Sequence, residues 1–206
     1  MQPTPGQIII LNGTPRAGKS SIAAAIQDSF DGLWLNLGVD RWMQMTPARY
    51  QPALGLRPGG ERPDLEPVVA VLYRALYASI AAHSRLGINV VADTGHHDSY
   101  STPLGILPAC ARLLDGLPAL LVGVRCPLDV ILERRRATGW DVGRAPTDPV
   151  PPPVPRWQTT VHTPGIYDLE VDTSVLTPAE CAAKIRRRVL AGPAPTALAH
   201  IAQVGG

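Results

Sequence analysis

The sequence predicts an α/β fold, a five-stranded parallel sheet with helices on both faces. Three observations predict it. Short apolar runs without polar alternation recur along the chain, as strands buried on both faces require. Segments with helical apolar spacing lie between them. Several apolar runs end on a turn-forming or acidic residue, such as Asn12, Asp40 and Asp93, as the ligand edge of such a sheet does.

The elements follow in order. QIIIL (7–11) is the first strand and SSIAAAIQDSF (20–30) the first helix, with Ile22, Ala25, Ile26 and Phe30 at helical spacing. LWLNLGV (33–39) is the second strand and ends at Asp40. Residues 46–66 are rich in Pro and Gly and read as a long irregular insertion, a length usually tied to function or mobility. A long amphipathic helix spans 66–87, stopped by Gly87, and INVVAD (88–93) is the third strand. Residues 103–116 read as a helix, 118–126 as the fourth strand and 127–139 as a helix opened by Pro127. A Pro-rich stretch at about 138–155 reads as a lid, and RWQTTVHT after it as a short helical piece. IYDLEVDTS (166–174) is the fifth strand. Thr177, Pro178 and Glu180 open the last helix, 177–190. Residues 1–192 thus form one domain with an insertion and a lid, and 193–206 a loosely held tail.

Composition bounds the chemistry. The 206 residues are 45% hydrophobic and 17% charged, a globular balance. A formal net charge of +2 argues against a nucleic-acid binder that relies on a basic surface. No run reaches a membrane span, and no secretory signal is visible, so the expected compartment is cytoplasmic. The 3 cysteines show no metal-binding spacing and read as buried, reduced side chains.

Gly13-Thr14-Pro15-Arg16-Ala17-Gly18-Lys19-Ser20 matches the phosphate loop G-x-x-x-x-G-K-[ST], between a strand and a helix as the motif requires. Its backbone N–H groups wrap phosphate oxygens, and the helix dipole favours the same charge. Lys19 reaches the β- and γ-phosphates, and Ser20, followed by Ser21, offers a hydroxyl to Mg²⁺. Pro15 has no N–H to offer. Lys19 and Lys184 are the chain's two lysines, so a lysine in this loop stands out. The guanine-reading N-K-x-D motif of GTPases is absent. A small kinase using ATP and Mg²⁺, with a small-molecule hydroxyl acceptor, is what remains.

Asp40 is either the general base for that hydroxyl or a cap on a helix from Arg41. Asp93 either supports Mg²⁺ with Ser20 or is a turn residue. Of Arg134, Arg135 and Arg136, one or two can face the nucleotide, and Arg134 is the candidate for catalysis. Arg144 is either a lid arginine or a solvated one. His96 and His97, in DTGHHD, are expected to contact the acceptor rather than a zinc ion. Trp42 and Met43 either line an apolar acceptor pocket, the reading taken here, or pack in the core, where Trp34 is placed. The chain acts alone or as a homo-oligomer.

IILNG…AGKS, WLNLGVD, NVVAD, LLVGVRC with the following Glu133-Arg134, and VHTPGIYDLEVDTS together resemble the chloramphenicol 3-O-phosphotransferase family of phosphate-loop kinases. The resemblance covers most of residues 7–190. It implies a nucleotide-kinase-like fold, ATP as phosphoryl donor, Asp40 as base and an antibiotic or other small-molecule acceptor. The segment ARYQPALGLRPGGERPDLEP, the lid and DTGHHD depart from the founding enzyme of the family.

Overall fold

In the computed structural model, which describes residues 3–139 and 149–204, five parallel strands are ordered β2-β3-β1-β4-β5. They are β1 (Ile8–Asn12), β2 (Trp34–Asn36), β3 (Asn89–Thr94), β4 (Ala119–Arg125) and β5 (Leu169–Asp172). Alternate residues of β1 show why its apolar run is unbroken. Ile8 and Ile10 enter one core, Ile9 and Leu11 the other, and all four are buried.

Helices cover both faces. On the Ile9 side lie α1 (Lys19–Ser29), α5 (Leu128–Ala137) and α7 (Pro178–Ala191), through Ile22, Ile26, Ile131 and Ile185. On the Ile8 side lie α3 (Glu66–Arg85) and α4 (Ile106–Leu113), through Tyr73, Tyr77, Ile80 and Cys110. Two further helices precede β5: α2 (Val39–Met45) and α6 (Pro153–Thr160). The Thr177–Glu180 capping box opens α7, with Glu180 N–H donating to Thr177 Oγ1 at 3.3 Å and Thr177 N–H donating to Glu180 Oε2 at 2.8 Å.

Three expectations change. The second strand stops at Asn36, and Val39 already starts a helix, because Gly38 turns the chain there. Residues 46–66 are packed rather than loose. Ala53, Leu54 and Leu56 are buried, and the Glu66 carboxylate accepts hydrogen bonds from Ser101 N–H and from its hydroxyl. Residues 197–204 are not a loose tail: they form α8 (Ala197–Val204). Its Ala197, Leu198 and Ile201 fill the core beside α4, and Asp168 accepts hydrogen bonds from Thr196 and Ala197 N–H. The apolar spacing at 197, 198 and 201 gives that helix one buried stripe, which outweighs its Ala- and Pro-rich approach.

Candidate active site

Strand register brings the functional residues to one edge. Leu11 lies beside Asp93 and Asn12 beside Thr94, so the loop that leaves β1 begins next to the Asp93 carboxylate. A cleft of about 690 Å³ opens at these carboxyl ends.

The phosphate loop forms one wall. Arg16 and Gly18 take φ of 69° and 86°, so the loop coils back under the start of α1. For Arg16 this is a costly left-handed conformation, the kind retained at functional loops. No side chain caps α1, and no acidic residue lies in its first turn, unlike α7. Its leading N–H groups are therefore available to an anion. Gly13, Thr14, Pro15, Arg16, Gly18, Ser20 and Ser21 line the cleft with Lys19, while Ala17 is buried beneath it.

Lys19 Nζ donates to the Gly13 carbonyl at 2.9 Å and to the Thr14 carbonyl at 2.8 Å. Burial lowers its pKa to about 8, against the opposing pull of Asp93 and Asp40. Both carboxylates are thus close enough to act on the ammonium. The Ser20 hydroxyl donates to Asp93 Oδ2 at 2.7 Å. Gly38 makes room for Asp93: a Cβ there would overlap Asp93 Oδ1 and lie 2.8 Å from its Cγ. Ser20 and Asp93 present oxygen donors alone, the chemistry a hard divalent cation such as Mg²⁺ prefers.

Asp40 lies in the first turn of α2 and lines the cleft. Gly38 is the N-cap of that helix and no side chain makes a cap bond, so Asp40 is not the cap. Met43, one helical turn on, also lines the cleft. Trp42 does not. It packs against the core beside α3, which corrects its assignment to the acceptor pocket. Trp34 is in the core, 7% exposed.

Arg134 and Arg135 line the other end of the cleft, and Arg136 does not. Arg134 donates to Thr173 Oγ1 at 3.0 Å, to Thr173 O at 2.7 Å and to the Arg16 carbonyl at 3.4 Å. It ties the outside of the phosphate loop to the end of β5. Arg144 and residues 140–148 of the lid expected at 138–155 lie outside the described residues. The described end of that stretch begins α6.

His96 and His97 do not line the cleft, which corrects their assignment to the acceptor. They are 2% and 5% exposed and work underneath it. His96 Nε2 shares a 2.8 Å hydrogen bond with the Tyr77 hydroxyl, and burial drives its pKa down to about 3. His97 Nε2 lies 2.9 Å from the Leu56 carbonyl, which can only accept. The ring is therefore the Nε2–H tautomer, kept neutral by burial.

Sequence reasoning missed two parts of the cleft. Trp157 and Val154 of α6 form an apolar wall, with Trp157 edge-on to His97 at 4.9 Å between centroids. The spacing of Val154, Trp157 and Val161, all buried, signals that helix. The insertion supplies Pro52, Leu54, Gly55 and Arg57, and no local pattern marks them.

Residues 6–190 match the family described as chloramphenicol phosphotransferase-like protein. The chain belongs to that family. A Mycobacterium tuberculosis protein named "Putative O-phosphotransferase" is 28% identical over 211 residues, covering 93% of this chain and 86% of that one. Two solved structures share the fold. Shikimate kinase from Acinetobacter baumannii superposes with a TM-score of 0.57 at 14% identity, covering 90% of this chain and 93% of that one. The tunicamycin resistance protein of Deinococcus radiodurans gives 0.57 at 20% identity, covering 92% and 99%. Within this chloramphenicol phosphotransferase-like family the chain is an O-phosphotransferase, a small-molecule kinase. No helix among the described residues is long and apolar enough to cross a membrane.

Proposed function

We propose that this kinase moves the γ-phosphoryl group of ATP to a hydroxyl of a small molecule seated between Asp40 and Trp157. The observation that supports this most is that one cleft holds both an uncapped phosphate loop and the Asp40 carboxylate, with apolar lining from Met43, Leu54 and Trp157. Loop N–H groups and Lys19 hold the β- and γ-phosphates, with Arg134 and Arg135 at the nucleotide end. Ser20 and Asp93 would hold Mg²⁺, which when bound neutralises charge on the phosphate oxygens. Asp40 takes the acceptor's proton as its oxygen bonds to the γ-phosphorus, and the bond to the β–γ bridging oxygen breaks to release ADP. The apolar wall from α6 and the insertion keeps water from competing.

Chloramphenicol is the first acceptor to test, followed by hydroxylated metabolites that include sugars, nucleosides and ring alcohols. The measurement is phosphorylated product by mass spectrometry beside ADP release, with Mg²⁺ and ATP supplied. One acceptor should gain a phosphoryl group for each ADP formed. Lys19→Ala should abolish that transfer while leaving the circular dichroism spectrum unchanged. Tight ATP binding with no phosphorylated acceptor across the panel would point instead to a nucleotide-binding regulatory protein. Unchanged turnover in Lys19→Ala would overturn the phosphate-loop assignment.

A further inference from the structure

The insertion at 46–66 carries three arginines, and two are satisfied locally. Arg62 forks onto Asp64 at 2.9 and 2.7 Å, and Arg49 lies 4.9 Å over the Tyr50 ring. Arg57 lines the cleft and makes no hydrogen bond or ion pair among the described residues. Its backbone is nevertheless held. Leu56 and Pro58 on either side are buried, the Leu56 carbonyl accepts from His97, and Gly59 N–H donates to the Ser99 carbonyl at 2.7 Å. A fixed stretch of chain therefore carries an exposed guanidinium, without a partner among the described residues, on a cleft that Met43, Pro52, Leu54 and Trp157 also line.

An arginine beside apolar walls suits one partner above others. Its planar fork matches a carboxylate through two parallel hydrogen bonds. Asp40 and Asp93 already place two negative charges in the cleft. Arg16, Lys19, Arg134 and Arg135 line the same cleft and belong to the phosphate loop and to α5, while Arg57 is the cation that the insertion supplies. One guanidinium balances one charge, which fits a carboxylate better than a doubly charged phosphate ester.

We propose that Arg57 is a specificity-determining residue that holds a carboxylate of the acceptor, so that the acceptor is a hydroxylated carboxylic acid with an apolar body. This rests on the kinase reading of the cleft.

The probe is benzoate, an apolar ring with one carboxylate. It is titrated by calorimetry into the full chain saturated with a non-hydrolysable ATP analogue and Mg²⁺, so that the phosphate loop is already filled. Benzoate should bind saturably at one site, and neutral benzamide should not. Arg57→Gln should weaken benzoate roughly tenfold or more, the scale of a charge-assisted hydrogen bond, without changing the affinity for the analogue. Absence of saturable benzoate binding, equal binding of benzamide, or an unchanged affinity in Arg57→Gln would each overturn the proposal. If the parent chain fails to bind the analogue, the kinase reading falls instead. Benzoate titrated into the empty chain and into Arg57→Gln then decides the role of Arg57 separately.

Discussion

The Ser20 hydroxyl donates a 2.7 Å hydrogen bond to the Asp93 carboxylate, joining the first turn of α1 to the end of β3. These residues are 73 positions apart and meet because β1 and β3 are parallel neighbours in register. The pair gives the phosphate loop a fixed position against the acidic edge of the sheet.

Gly38, which abuts the Asp93 carboxylate, tests that position without replacing either residue. Its own φ of −61° suits any amino acid, so the constraint is steric. Gly38→Ala would drive a methyl group into the Asp93 carboxylate. We expect kcat to fall about a hundredfold, as displacement of a positioned group by about an ångström does. The Mg²⁺ concentration needed for half-maximal rate should rise in Gly38→Ala and in Asp93→Asn alike. An unchanged Mg²⁺ dependence in both would remove Asp93 from the cation site.

Asp40→Asn should lower kcat by roughly 10²–10⁴ while ATP affinity, by titration, stays within about threefold. The cap role that would complicate the result is absent, since Gly38 occupies that place. Loss of the charge near the start of α2 should cost stability about 0.3–1 kcal/mol, readable by urea unfolding. A rate that also stays within about threefold would leave Asp40 without a chemical role.

Lys19 should make nucleotide binding depend on pH. Its pKa in the folded chain is about 8, against an ordinary 10.5. Between those values the unfolded chain carries more protons, so folding stability from this group rises with pH across that window. The burial penalty is fully present below about 8. Affinity for an anionic nucleotide runs the other way, because the ammonium is lost as pH rises through 8. Analogue affinity should therefore fall between pH 8 and 9.5 in the parent, and the Lys19→Met variant should lack that slope. Parallel slopes in the two proteins would assign the dependence to another group.

Ile201→Ala should destabilise the fold by about 2–5 kcal/mol, the range for emptying a buried aliphatic site. Ile201 is 2% exposed in the core cluster shared by α8 and α4. Thermal unfolding of the variant measures the loss. A melting temperature equal to that of the parent would mean that α8 is not docked in solution.

Much of this was legible in the residue order. The phosphate loop is contiguous, so its chemistry is written in eight adjacent residues, and the apolar runs that became β1, β3 and β4 have no polar break to mislead. Asp40 and Asp93 could be placed at the sheet edge because each follows an apolar run. The histidines could not be placed. A His after a strand reads the same whether it faces a ligand or packs under one, and only the neighbours Tyr73, Tyr77 and Leu56 decide it.

By itself the sequence determined the class of the sheet, the loop that meets phosphate and the two carboxylates beside it, since all of these depend on local pattern. The tertiary structure decided the rest of the cleft. Arg57 comes from an insertion with no period, and Trp157 from a helix more than a hundred residues beyond Asp40. Which wall each one lines depends on strand order and on how Leu56, His97 and Trp157 pack together. These contacts join residues far apart in the chain, and no periodicity along the chain encodes such a meeting.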